Sequence, residues 1–313
     1  MDNVPTFSIV ITSYNYGHFL VNALESVLLQ NRPDTQILLI DDASTDNTPQ
    51  VAERFRDHIQ YIRNKDNLGA SGAWAAGIAL ATGEYLIKLD ADDEFLPGHL
   101  DALESAFESD ADVGMVFTSV LTRCEPAGVL KPEYIVDEDQ TWSASDFRKK
   151  LLECFLFRMP GCALRREVTI GKEKPDPELF QIHDWEYFLR VTAGYKAKLL
   201  HEPSAVYRIH DSSISSVARY DSRLYHDVRR WLEIAKVPGQ RYIKEEDRKI
   251  LIGSCACLLL FGFGSKLNPM SYVRFIPIYI RTLRLATSGG FNQVKRMHRA
   301  LFQRAAARSR VIS

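Results

Sequence analysis

No run of twenty apolar residues occurs in this 313-residue chain, and no cysteine pair has C-x-x-C spacing. The most apolar stretch, Ile250 to Gly264, has 15 residues. A membrane-spanning helix needs about 20, so a buried or interfacial helix is expected there. Five cysteines (Cys124, Cys154, Cys162, Cys255 and Cys257) form an odd set. This excludes neither oxidation nor metal binding by itself. It argues against a disulfide framework or a zinc site, and for a reducing compartment. The opening MDNVPTFSIVITSYN has no basic segment followed by a signal-type apolar one, so a cytoplasmic chain is expected.

Acidic residues are missing from the last fifth of the sequence. From Arg248 to Ser313 there are 12 Lys or Arg and no Asp or Glu. That leaves 27 basic against 40 acidic residues elsewhere, an asymmetry hidden by a net charge of -1. A basic tail on an acidic body suggests peripheral contact with an anionic membrane, on its cytoplasmic face; docking on the body itself is the alternative. Tyr272 to Leu285 fits the first reading. It interleaves Arg274, Arg281 and Arg284 with apolar residues, and Pro277 is expected to kink it.

What is present is an ordinary globular composition, 46% hydrophobic and 25% charged. Thr6 to Ser13, Gln36 to Asp41, Ile59 to Arg63, Tyr85 to Leu89 and Val113 to Leu121 read as strands. Between them, Phe19 to Gln30, Asn47 to Asp57, Ser71 to Ala81 and Leu100 to Glu108 read as helices, with Ser44 offered as the cap of the second. Such alternation predicts an α/β fold: a mostly parallel sheet flanked by helices. Ligands bind such sheets beyond the carboxyl ends of the strands. Three polar clusters fall there: TSYN (Thr12 to Asn15), DDAS (Asp41 to Ser44) and DADD (Asp90 to Asp93).

DADD carries the strongest chemical signal. Two carboxylates held close by a turn repel, and each resists ionisation. A hard divalent cation removes that cost, and Mg²⁺ or Mn²⁺ uses such oxygens together with substrate phosphates. It would also neutralise charge on a departing diphosphate. A solvated turn or helix cap is the plainer reading of D-x-D alone.

Three blocks together carry more. SIVITSYNYGHFLVNALESVLLQ (Ser8 to Gln30), ILLIDDASTDNTPQVAERF (Ile37 to Phe55) and NKDNLGASGAWAAGIALATGEYLIKLDADDEFLPGHL (Asn64 to Leu100) resemble the family-2 glycosyltransferases of the GT-A fold, in that family's order and spacing. The resemblance extends over about residues 5 to 215. It implies an inverting transfer from a nucleotide-diphosphate sugar to an acceptor hydroxyl. Thr12 would bond the base or ribose, and Tyr14 would stack near the base. Asp42 would accept from a base N–H, which favours a UDP-sugar; simple capping is the alternative for Asp41 and Asp42. Asp90 would sit by the ribose, Asp92 would bind the metal, and Asp93 would support the site. The family often has an Arg-Asn pair in the helix before the D-x-D strand. Trp74 and Ala75 stand there instead, so packing is expected from Trp74 in place of a donor contact.

The resemblance also points to a base. In FQIHDWEYFLRV (Phe180 to Val191), Asp184 matches the family's catalytic carboxylate, His183 replaces the usual Glu, and Arg190 stands at its expected place. Placement within about 3 Å of the acceptor proton is what a carboxylate base requires. A helix start would help to keep Asp184 ionised. An N-cap role is the plainer alternative, and Glu186 is the second candidate base. AVYRIHDSSIS (Ala205 to Ser215) looks like the loop that closes over the diphosphate. There His210 would join the metal, and Arg208 would clamp a phosphate or hold the loop through an acidic neighbour.

The expected domains are a catalytic one over residues 1–218, with a nucleotide-binding half (1–120) and an acceptor half (121–218), and a helical, basic C-terminal region over 219–313. A glycan or lipid-linked acceptor, as in surface polysaccharide or glycolipid synthesis, would suit a membrane-seeking tail. No nucleic acid partner is expected. Two other functions compete. A nucleotidyltransferase would need a Gly-rich, basic loop after the first strand, where SYNYGHF stands instead. A non-catalytic glycan- or membrane-binding module would not need Asp42, Asp90, Asp92 and Asp184 all to be present.

Overall fold

The computed structural model describes residues 6–153, 157–213, 223–234 and 247. The chain divides into two compact units, residues 1–148 with 156–213 and residues 149–155 with 214–313.

The first unit is built on a ten-stranded sheet. Strands β1 (Phe7–Ser13), β2 (Thr35–Asp41), β3 (Gln60–Arg63) and β4 (Tyr85–Asp90) come first, with helices α1 (Gly17–Leu28), α2 (Thr48–Arg54) and α3 (Gly69–Leu80) between them. Then follow β5 (Glu94–Phe95), α4 (His99–Glu108), β6 (Val113–Cys124), β7 (Val129–Glu133), β8 (Gln140–Trp142) and α5 (Ala144–Glu153). The set ends with β9 (Cys162–Arg165), α6 (His183–Val191) and β10 (Lys196–Ile209). The main path runs β3-β2-β1-β4-β9-β6-β10-β5, with β7 on β6 and β8 on β10. β1 pairs in parallel with both β2 and β4, and β6 in parallel with β10. β9 joins the two parallel groups antiparallel to both. This is the mixed, mostly parallel sheet that strand–helix alternation predicts.

Strand alternation sorts the core. Phe7, Ile9 and Ile11 of β1 and Tyr85, Ile87 and Leu89 of β4 share one cluster with Leu20 and Leu24 of α1 and Leu103 and Phe107 of α4. Val10 points to the other face, where α3 packs so closely that a Cβ on Gly77 would lie 2.1 Å from Val10 Cγ1. The small-residue run of α3 thus serves close helix–sheet approach.

The chain goes from β1 to β2 on one side, then from β3 back across to β4 on the other. The order reverses at β1 and β4, and a crevice opens at such a point. Ser44 is not the cap of α2, contrary to expectation. Its amide donates to Asp41 Oδ1 (2.8 Å), and its Oγ accepts from the Asn15 amide (3.0 Å). Asp46 takes the start of α2 instead, accepting from the Thr48 amide and hydroxyl.

The second unit takes the end of α5 from residue 149 and the helix α7 (Arg223–Ile234), which buries Val228 and Trp231. Among the described residues no helix is long and apolar enough to cross a membrane. The stretches Ile250 to Gly264 and Tyr272 to Leu285, with the expected lipid contact, lie outside the described residues.

Candidate active site

The three polar clusters do meet at the strand ends. Thr12 and Asp90 are register partners on β1 and β4, and the Thr12 hydroxyl donates to Asp90 Oδ1 at 2.8 Å. The next turn is fixed by the Ala91 amide donating to Thr12 O and the Asp93 amide donating to Asp90 O. One strand over, Asn15 and Ala43 both take left-handed backbone, at φ 59° and 63°. For Ala such a conformation is uncommon and strained, and it concentrates at functional loops. The Asn15 side chain holds the two loops together by accepting from the Thr45 amide at 2.7 Å.

Within DDAS the two aspartates divide their work. Asp41 is fully buried and structural: its carboxylate accepts from the Ser44 amide and, at 2.6 Å, from the Tyr61 hydroxyl. Asp42 Oδ1 accepts from Asn64 Nδ2 (2.8 Å) and the Leu68 amide (2.9 Å), which ties down the segment entering α3. Its Oδ2 takes no hydrogen bond among the described residues. Tyr14, two residues beyond Thr12, is 46% exposed. Trp74 is packed in the core at 1% exposure, and its indole N–H has no partner among the described residues.

At DADD the charge is dense. Asp92 Oδ2 lies 2.9 Å from His210 Nε2, and the His210 ring packs on Phe19 and Tyr16. Asp93 is buried, with Oδ1 accepting from the Arg208 amide and Oδ2 without a partner among the described residues. Burial, then the charges of Asp92 and Asp90, push its carboxyl well above the usual range. The Tyr16 phenol is raised by burial and by the same carboxylates. So protein partners leave this corner with negative charge in excess, the condition a divalent cation relieves. Among the described residues no cluster of three or more His, Cys, Asp or Glu forms a ready-made cage. Asp92 and His210 could supply two ligands to a cation such as Mn²⁺, whose other ligands would have to come from a diphosphate or water.

Arg208 is buried. Its Nε donates to the Asp92 carbonyl at 2.8 Å, and its two terminal nitrogens donate to Glu125 and Glu94. This is the loop-holding arrangement, with the guanidinium turned to protein acceptors.

Asp184 opens α6 and is buried. His183 Nδ1 donates to the Phe180 carbonyl, which directs Nε2 toward Asp184 Oδ1, 3.1 Å away at an angle outside a hydrogen bond. From β4, Lys88 Nζ lies 3.8 Å from Asp184 Oδ2 and 2.7 Å from Asp90 Oδ1. Burial raises the Asp184 carboxyl, but His183 and Lys88 outweigh it and bring it down to about 2. It is therefore ionised at neutral pH. Glu186, the second candidate base, is 2% exposed and pairs with Arg190, whose Nε is 2.8 Å from Glu186 Oε1. Arg190 also donates to the Glu173 and Lys174 carbonyls, so this pair secures the preceding loop.

Lys88, Glu94 and Glu125 are participants that sequence reasoning passed over. A signal for Lys88 was visible: one charge at an inward position of an otherwise apolar strand.

The sheet order and its carboxylate-bearing end define a GT-A-type α/β protein. Residues 8–169 match the family model described as Glycosyl transferase family 2, and the chain belongs to that family. An uncharacterized glycosyltransferase of Nostoc sp. is 32% identical over 66% of this chain and 65% of its own length. The chain thus spans slightly less than two thirds of that relative. Among solved structures, S. aureus TarS in complex with UDP-GlcNAc superposes with a TM-score of 0.66 at 17% identity, covering 89% of this chain and 79% of that one. The mannosyltransferase PcManGT from Pyrobaculum calidifontis, in complex with GDP-Man and Mn²⁺, gives a TM-score of 0.57 at 18% identity, covering 97% of this chain and 80% of that one.

Proposed function

We propose that this chain transfers a sugar from a nucleotide-diphosphate sugar, a UDP-sugar by preference, to an acceptor hydroxyl with inversion. The observation that carries the reading is the convergence of Asp184 with the donor-side carboxylate Asp90, on either side of one ammonium group. The uridine choice rests on Asp42 as acceptor for a base N–H; of the two solved structures of like fold, one holds UDP-GlcNAc and the other GDP-Man.

In this reading Thr12 and Asp90 bind the ribose side of the donor. Asp42 meets the base through Oδ2, and Tyr14 covers it. Asp92 and His210 would hold a Mg²⁺ or Mn²⁺ ion, which would supply charge neutralisation to the leaving diphosphate. Arg208 keeps Asp92 and Asp93 in place by holding the loop. Asp184 accepts the acceptor proton as the acceptor oxygen attacks the anomeric carbon from the face opposite the leaving group. The new C–O bond forms, the bond to the diphosphate breaks, and configuration inverts. A carboxylate suffices for this step because the proton leaves late and the base needs only to be placed within hydrogen-bond reach.

Residues 1–218 form the catalytic part in this reading, with the donor held by 1–120 and the acceptor by 121–218. Residues 219–313 bring it to the cytoplasmic face of an anionic membrane, where a glycan or lipid-linked acceptor of surface polysaccharide or glycolipid synthesis is met. The test is a panel of nucleotide sugars, with and without Mn²⁺, followed by thermal shift. Ligand that binds only the folded state raises its stability. A UDP-sugar should raise the melting temperature in an Mn²⁺-dependent way. A panel without any such response would overturn the proposal.

A further inference from the structure

β4 reads YLIKLD, and alternation assigns Leu86 and Lys88 to the same face of the sheet. Their surroundings are apolar: Leu86 is 1% exposed, and Val10, the register partner of Lys88 on β1, is fully buried. An aliphatic residue is what this position asks for. The lysine there has a side chain only 2% exposed. Removing an ammonium from water is costly unless close partners restore what hydration gave. One partner, Asp90, lies two residues along the same strand, and the other, Asp184, comes from α6. Lys88 Nζ donates to both oxygens of Asp90, at 2.7 and 3.0 Å, and faces Asp184 Oδ2 at 3.8 Å. Among the described residues no other cation pairs with both.

We propose that Lys88 is a positioning residue, a buried strut that fixes the base Asp184 relative to the donor-side carboxylate Asp90. This rests on the glycosyl-transfer reading of the site. Asp90 belongs to the sheet, and Asp184 to the first turn of a helix that approaches the sheet. Without a link, their spacing depends on packing of α6 alone. The spacing matters because reacting groups must be held to within a fraction of an ångström for efficient chemistry. One ammonium with three donors, anchored to the strand that ends in DADD, sets the distance between the group at the ribose and the group at the acceptor. It is too buried to touch the sugar, so its effect passes through these two carboxylates.

The proposal requires that losing Lys88 harm both arms, whereas losing Asp184 harms only the chemistry. The experiment uses the full chain and its Lys88→Met, Lys88→Arg, Asp184→Asn and Lys88→Met/Asp184→Asn variants. UDP affinity with Mn²⁺ is measured by calorimetry, and turnover with the best donor of the nucleotide-sugar panel. Lys88→Met should weaken UDP binding about tenfold and lower kcat about a hundredfold, and Lys88→Arg should recover at least part of each. In the Asp184→Asn background, adding Lys88→Met should leave kcat within threefold and still weaken UDP about tenfold. That last comparison needs no activity and keeps the buried charge balanced, so it holds even where Lys88→Met alone does not fold. Equal UDP affinities in the two Asp184→Asn backgrounds, or a folded Lys88→Met protein within threefold of the parent in kcat, would overturn the strut. If Asp184→Asn turns over normally, or the parent does not bind UDP, the reading of the site falls as well.

Discussion

His210 Nε2 lies 2.9 Å from Asp92 Oδ2, across 118 residues of sequence. The contact brings the end of β10 onto the turn after β4 and assembles the two expected cation ligands. Among the described residues neither belongs to a larger cage, so ion and nucleotide should bind together. His210→Ala should lower Mn²⁺-dependent UDP affinity by roughly 10- to 100-fold, the usual scale for disturbing a metal site. Titration of UDP with Mn²⁺ and with EDTA checks this. Equal curves for parent and variant would remove His210 from the metal.

Arg208 holds the same loop from inside. Its guanidinium pairs with Glu94 and Glu125, and its Nε reaches the Asp92 carbonyl. Arg208→Met would leave Glu125 without its guanidinium and Glu94 with Arg123 alone. Breaking a buried pair from one side costs about 3 kcal/mol or more. Chemical denaturation should show a loss smaller than that, because Arg123 remains on Glu94, and Glu125→Gln together with Arg208→Met should recover part of it.

The Asp184 carboxyl is brought down to about 2 from an ordinary value near 4, by His183 and Lys88 acting against burial. A depressed carboxylate stabilises the fold fully above its unfolded pKa, and that contribution fades as pH falls from about 4 through 2. The shift corresponds to about 2 kcal/mol. Melting curves of the parent and of Asp184→Asn between pH 7 and pH 2 should therefore converge in the acid range. A difference independent of pH would mean that Asp184 is not held ionised by its neighbours.

Gly77 lets α3 lie on β1. A Cβ there meets Val10 Cγ1 at 2.1 Å, so Gly77→Ala forces the helix away or the valine off its rotamer. Overpacking of this kind costs roughly 1–3 kcal/mol. Thermal unfolding should show the loss, and Val10→Ala in the same chain should relieve part of it.

Much of this arrangement is legible in the sequence, for a physical reason. β1, β2 and β4 are short apolar runs that end in polar clusters, and parallel topology sends those ends to one edge. The clusters that contain Thr12, Asp42, Asp90 and Asp92 are accessible in that way, and the roles of the individual residues come from the family resemblance. Asp184 was accessible only through family resemblance, because nothing in the spacing of HDWEYFLRV says that it faces β4. The partners of Arg208 are 83 and 114 residues away, and no local pattern pairs them. Ser44 was misassigned to α2 because a hydroxyl before a helix resembles a cap; here Asp46 is nearer to the helix start and Ser44 joins two loops. Lys88 was overlooked because an apolar strand was read as a whole. The one inward charge in it was the informative residue.

The central claim is that Asp184 is the base of a sugar transfer whose donor is held by other residues. The most direct measurement compares Asp184→Asn with the parent in steady-state transfer and in UDP binding with Mn²⁺. Loss of a positioned base should lower kcat by at least about 10²-fold, with UDP affinity within threefold of the parent. Turnover within tenfold of the parent, at unchanged UDP affinity, would contradict it.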